Sequence, residues 1–300
     1  IPATITYIGD EAFARAYYYN SGLRSMICHA DSVPLTASSA LNNNSNYSLY
    51  IYVPGTSVNL YQSVSPWKYQ YVREYTTSTV QGATSTIAYG DYSLTFIVTD
   101  SYDKKCQLVS ADVPTSGTEI VIPSTVAFGE DDCSVTSIGS SAFSGCSNLA
   151  SIEIPSGVTS IGSSAFSGCS SLSSIEIPSG VTSLEYSTFE GCSSLASIEI
   201  PSGVTSLEYR TFKGCSNLAS VVFGENSQLT SIEWEAFYDC SSLASIEIPS
   251  GVTSIGSSAF YGCSSLADVT FGENSQLTSI GSYAFNYCSS LASIEIPSGV

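Results

Sequence analysis

Leu149 to Cys169 read LASIEIPSGVTSIGSSAFSGC, and this stretch decides the fold. Ile152 and Ile154 follow Leu149 at a spacing that puts both isoleucines on one face of a short strand, while Glu153 points to the other. Pro155 lacks a ladder donor and ends the strand, and Ser156-Gly157 is turn chemistry. Val158 and Ile161 turn inward again. Gly162 and the serines after it permit a tight bend into a short helical or turn segment that directs Ala165, Phe166 and Cys169 inward. One unit thus offers about eight apolar side chains to an interior that it cannot close alone, and stacked copies close it.

The copies are present. Aligned on the phenylalanine of SSAFSGC, they place Phe143, Phe166, Phe189, Phe212, Phe237, Phe260 and Phe285 at spacings of 23, 23, 23, 25, 23 and 25. Each is followed three residues later by a cysteine, from Cys146 to Cys288. The two longer spacings come from VVFGENSQLTSI at 221 to 232 and VTFGENSQLTSI at 269 to 280, which replace the proline turn with a longer loop expected to protrude from one edge. A period of 23 residues lies in the leucine-rich-repeat range of about 20–29. It predicts an α/β solenoid, a right-handed superhelix of 23-residue coils with short parallel strands on one face.

These units resemble the BspA-like leucine-rich repeats of bacterial surface proteins, in sequences such as IPSGVTSIGSSAFSGCSSLASIEIP, with the AF (TF in two units) and cysteine positions in register. The resemblance reaches the first part of the chain. IPATITYIGDEAF at 1 to 13 aligns with IPSGVTSIGSSAF, residues 22 to 41 look like a degenerate coil, and 49 to 72 look like the closing segment of such an array. There Trp67 and the tyrosines would cover an apolar end. SLTFIVTDSYDKKCQLVSADV at 93 to 113 alternates at period two around an SYDK turn and reads as a β-hairpin. The resulting organisation is the last coils and cap of a first array at 1–75, a linker at 76–90, a hairpin cap at 91–118 and a second array at 119–300. Both ends fall in mid-coil, which predicts a piece of a longer repeat protein with end-to-end self-association through uncapped coils.

The 300 residues carry 26 acidic and 8 basic side chains, a net charge of −18. Residues 106 to 300 hold 19 acids and 2 bases, so −17 of that charge belongs to the repeats. Such a surface repels phosphate and excludes a nucleic-acid partner. The single histidine, His29, rules out a histidine triad within the repeats or a site of several imidazoles. No apolar run is long enough to span a membrane. Neither Asp10-Glu11 nor Glu130-Asp131-Asp132 completes a calcium loop. The expectation is a protein that is not an enzyme and uses no cofactor or metal.

Three columns remain as candidates. The ladder cysteines fall inside the coil as small buried hydrophobes with free thiols, and Cys106 with Cys133 is open to pairing near the second cap. Glu153, Glu176, Glu199, Glu247 and Glu295 repeat at one outward strand position, interrupted by Val222 and Thr270. Carboxylates about 5 Å apart repel by roughly 1 kcal/mol even in water, so stability does not select them. They offer a surface to a basic partner, or merely a solvated strand face copied by duplication. Tyr186, Tyr209 and Trp234 fill a position that is serine in most coils, three before the phenylalanine, and Tyr238 and Tyr261 follow the phenylalanine in the Trp234 coil and the one after it. Glu185, Glu190, Glu208, Arg210, Lys213, Glu233 and Glu235 surround them. Adjacent exposed aromatics suit protein or sugar contacts.

The resemblance implies non-catalytic adhesion outside the cell or at its surface, to host or neighbouring-cell proteins. A carbohydrate-binding module using the Tyr186, Tyr209 and Trp234 column, or a structural spacer, are the alternatives, with extracellular proteins or glycans as partners.

Overall fold

Period-two alternation and proline punctuation recur through the chain, and in the computed structural model they produce short strands joined by turns. Side chains are described for residues 81–101, 103–114, 118–128 and 131–300, and backbone alone for five strands nearer the N-terminus. The chain divides into units Ile1–Val80 and Gln81–Val300. In the first unit β1 (Tyr7–Ile8) pairs in parallel with β3 (Leu35–Thr36), and β2 (Ser25–Ile27), β4 (Tyr50–Val53) and β5 (Tyr71–Glu74) form a parallel sheet. Cys28, His29, Trp67 and most of the expected closing segment lie outside the described residues.

The second unit opens with an antiparallel meander of β6 (Thr84–Tyr89), β7 (Tyr92–Asp100) and β8 (Lys105–Asp112). The β7–β8 hairpin lies where period-two alternation places it, burying Leu94, Phe96 and Val98 against Cys106 and Leu108. Residues 84–89 correct the expected linker. Their Thr-Ser-Thr-Ile run alternates between exposed and half-buried, and it pairs with β7 along its whole length. Strand β8 then lies parallel to β11 (Asp131–Ile138), taking the place that a preceding coil would hold. Cys106 and Cys133 form no disulfide; the Cys106 thiol donates to the Cys133 carbonyl at 3.6 Å.

Each coil contributes to two parallel ladders rather than to strands on one face. The first is interrupted into three parallel sheets, of β9 (Thr118–Val121), β12 (Leu149–Glu153) and β14 (Ser174–Ile175), of β15 (Ser197–Ile200) and β17 (Ser220–Phe223), and of β19 (Ser245–Ile248) and β21 (Asp268–Phe271). The second contains the Thr-Ser-Ile steps, from Ser137-Ile138 through β13 (Ser160–Ile161) and a bridge at Leu184 to β16 (Ser206–Leu207), β18 (Ser231–Ile232), β20 (Ser254–Ile255) and β22 (Ser279–Ile280). Serine outside and isoleucine inside is itself period-two alternation, and a two-residue strand suffices when an identical step lies in register above it. Strand β10 (Thr125–Phe128) pairs antiparallel with β11.

No helix forms among the described residues, which corrects the α/β expectation. The reason is in the amides of the AF segment. Those of Ala142, Ser144 and Cys146 donate three residues back, to Gly139, Ser141 and Phe143, while those of Ser141, Phe143 and Gly145 donate to Ser163, Ala165 and Ser167 of the next coil. A helix would need all six for itself. Alternation instead makes the turn segment a third hydrogen-bonded side, and it requires left-handed backbone at two positions. Glycine fills one in most coils (Gly168, φ 74°; Gly191, φ 74°), and a non-glycine residue fills the other throughout (Ser164, φ 55°; Ser187, φ 55°).

The interior consists of columns. Phe143 through Phe285 stack with ring centroids 5.2–5.5 Å apart. Beside them the cysteines are free thiols, half-buried at Cys146 and buried thereafter, and each of Cys169, Cys192, Cys215, Cys240, Cys263 and Cys288 donates to the phenylalanine carbonyl of the coil before, at 3.1 Å. Burial raises their pKa values, Cys215 to about 12. The cysteine is therefore a stitch between coils as well as a filler.

Candidate binding site

The outward positions of the coil are mostly serine, so departures from serine stand out. In three successive coils Gly162-Ser163 is replaced by Glu185-Tyr186, Glu208-Tyr209 and Glu233-Trp234 before the pattern returns at Gly256-Ser257. Inter-coil bonds hold this segment on the turn side: the amides of Ser187 and Arg210 donate to the carbonyls of Tyr209 and Trp234. Tyr209 and Trp234 stack at 4.8 Å, and Tyr238 and Tyr261 stack at 4.7 Å in the register just beyond the phenylalanines. Tyr186 is 54% exposed and joins neither stack; Trp234 is 49% exposed.

One carboxylate ties the two stacks together. Arg210 Nε donates to Glu235 Oε2 at 2.8 Å, and Lys213 Nζ donates to the same oxygen at 2.7 Å. The Arg210 guanidinium lies over the Tyr209 ring at 4.4 Å, and the Lys213 ammonium over the Tyr238 ring at 4.5 Å. Glu235 itself is buried. Burial opposes its ionisation, but the hydrogen bonds from Lys213 and Arg210 outweigh that and hold its pKa below the ordinary carboxylate value. The Glu235 bond also raises the pKa of Arg210.

Arg210 (φ 58°) and Glu235 (φ 55°) both occupy the left-handed position that is serine in neighbouring coils. Every coil fills that position with a non-glycine residue, so the left-handed backbone is common to the fold and is not a cost of the bridge. Other coils stack without these residues, so packing does not call for them. The result is a rigid patch of two aromatic pairs with their cations fixed in place. Its composition of tyrosine, tryptophan and arginine is the one that dominates binding energy at protein interfaces.

The glutamate column lies elsewhere. Glu153, Glu176, Glu199, Glu247 and Glu295 are exposed, the first four on strands or strand ends of the first ladder. It is a less continuous acidic strip than its spacing suggests, because register places Glu153 beside Val121, Glu199 beside Val222 and Glu247 beside Thr270. The two predicted groups therefore sit on different sides of the coil and are not one site. The sequence groups the members of the Glu235 bridge without revealing the bonds between them. The signal was the single column holding Ser187, Arg210, Glu235 and Ser258, where opposite charges occupy adjacent coils.

Parallel ladders stacked at a period near 23 residues, with a continuous apolar interior and a decorated turn side, define a leucine-rich-repeat solenoid. The chain belongs to the BspA type leucine rich repeat family, whose model matches residues 126–229 and 225–300 in six copies. It is similar to the leucine rich repeat protein TpLRR of T. pallidum, with 27% identity and a TM-score of 0.56, over 73% of this chain and 91% of that one. A leucine rich cell surface protein of Faecalibacterium prausnitzii matches at 29% identity and a TM-score of 0.48, over 64% of this chain and 55% of that one. The chain has no match among curated proteins. Among the described residues, no helix is long and apolar enough to cross a membrane.

Proposed function

We propose that the chain is a non-catalytic bacterial binding protein, displayed at the cell surface or secreted, that adheres to a protein of a host or neighbouring cell through the turn side of its second array. The observation that carries this reading is the Glu235 bridge, which fixes Arg210 and Lys213 against Tyr209 and Tyr238. Preorganised aromatic and arginine side chains lose little entropy on binding. The resemblance to BspA-like surface repeats supports the location. The coils wind right-handed in this reading, as parallel strand crossovers nearly always do. The exposed Trp234 face favours a glycan as the second reading.

A screen against extracellular-matrix proteins and glycans, run with the native chain and a Tyr186, Tyr209 and Trp234 triple alanine variant, tests this. The expected result is a protein ligand that binds less tightly as salt is raised and is lost by the variant. A salt-insensitive glycan hit lost by the variant supports the second reading instead. Unchanged binding by the variant overturns both.

A further inference from the structure

The two long coils build a feature on the first ladder, away from the turn-side patch. Their FGENSQ loops at 223–228 and 271–276 are pinned to the preceding coil: Gly224 and Gln228 amides donate to the Ile200 and Ser202 carbonyls, and Gly272 and Gln276 amides to Ile248 and Ser250. Glycine is needed for this approach, since a Cβ on Gly224 would lie 2.9 Å from the Ser202 nitrogen, and one on Gly272 2.8 Å from that of Ser250. Here β17 forms a ladder with β15 and not with β19, a break that also falls between β14 and β15, where no long loop is present. The seam between β17 and β19 opens into a groove of about 450 Å³. Val222 and Phe223 form its apolar wall, Asn226 and Ser227 line it from the loop, and Glu247 and Pro249 line the facing side.

Three properties decide what fits. Val222 stands where the array usually has an outward glutamate, and it is 54% exposed. Among the described residues, Glu247 makes no ion pair or side-chain hydrogen bond. Residues 220 to 300 contain no lysine or arginine, and the cations nearest in sequence, Arg210 and Lys213, are bound to Glu235 on the turn side. An aliphatic wall ending at an uncompensated carboxylate complements a long apolar stem that carries a positive end. A bare metal ion gains nothing from Val222 and Phe223, and an acidic group is repelled.

We propose that this groove receives a lysine or arginine side chain from an extended segment of a partner protein. The stem lies on Val222 and Phe223, the charged end meets Glu247, and Asn226 and Ser227 accept its remaining hydrogen bonds. The site is independent of the turn-side patch.

The test is a titration of the full chain at low salt with acetyl-Val-Lys-Val-amide, followed by amide NMR shifts, beside peptides with norleucine or glutamate at the centre. The lysine peptide is expected to shift amides at 221–227 and 247–250, and the other two are not. Glu247→Gln should weaken binding by about fivefold, the upper range for a partly exposed ion pair. Val222→Ser should weaken it as well, at a position where Glu199 and Thr270 show that polar residues are tolerated. Equal binding by the norleucine peptide overturns the proposal, as does an equal loss in Glu176→Gln, which would mean diffuse attraction to the glutamates. An absence of shifts at these amides also overturns it.

Discussion

Glu235→Ser separates the bridge from the backbone beneath it. Serine occupies the matching left-handed position at Ser187 (φ 55°) and Ser258 (φ 56°), so the change leaves the local conformation as it is in other coils. What is lost is one oxygen that accepts from Arg210 at 2.8 Å and from Lys213 at 2.7 Å. Hydrogen bonds to charged groups contribute about 1.5–3 kcal/mol each. The Arg210 and Lys213 side chains remain 31% and 24% exposed, so water replaces much of what the variant loses. Burying Glu235 also carries a desolvation cost that serine avoids. The net loss is about 1–2 kcal/mol at neutral pH. Because the native pKa of Glu235 is lowered, the bridge contributes stability above the ordinary carboxylate range, and that contribution is lost as the pH falls through the native value. Urea denaturation of both proteins at about pH 7 and about pH 2 reads the difference, which should shrink towards zero in acid. Hydrogen exchange at the Phe212 and Phe237 amides, which link adjacent coils, localises it if the array opens coil by coil. Equal stability at neutral pH, or a difference that persists in acid, refutes the reasoning.

Two further outcomes follow from the packing. Thiol titration of the native chain should leave the ladder cysteines unreacted near neutral pH, since burial raises the pKa of Cys215 to about 12 and that of Cys288 to about 11; release of those thiols should require denaturant. Gly256→Ala should destabilise the array by about 1–3 kcal/mol in chemical denaturation, because its Cβ would lie 2.6 Å from the Glu233 carbon and the Trp234 nitrogen. Gly157→Ala, whose nearest neighbour is the Val135 carbonyl oxygen at 3.6 Å, serves as the tolerant control.

The interior was legible because duplication writes it many times: Ile152, Val158, Phe166 and Cys169 recur in register, and each is buried. The second ladder was harder to see, since Ser160-Ile161 is too short to read as a strand until an identical step is placed above it. The turn side was ambiguous between helix and turn, because the sequence does not reveal that alternate amides leave the coil. Strand β6 read as linker because Thr-Ser-Thr is common to both, and only its pairing with β7 decides. At the site, Tyr209 and Trp234 were visible as departures from serine. The bridge through Glu235 was not, since it depends on left-handed backbone turning Arg210 and Glu235 towards each other across adjacent coils. The groove beside Val222 was hidden for a related reason: an insertion predicts a protruding loop but not where the first ladder is interrupted.

Hydrogen–deuterium exchange of the chain with and without a protein ligand found in the screen tests adhesion through the turn side most directly. Binding there predicts added protection at Tyr209 to Lys213 and Trp234 to Asp239, lost when Tyr186, Tyr209 and Trp234 are alanine. A bound ligand that leaves those amides unprotected contradicts it.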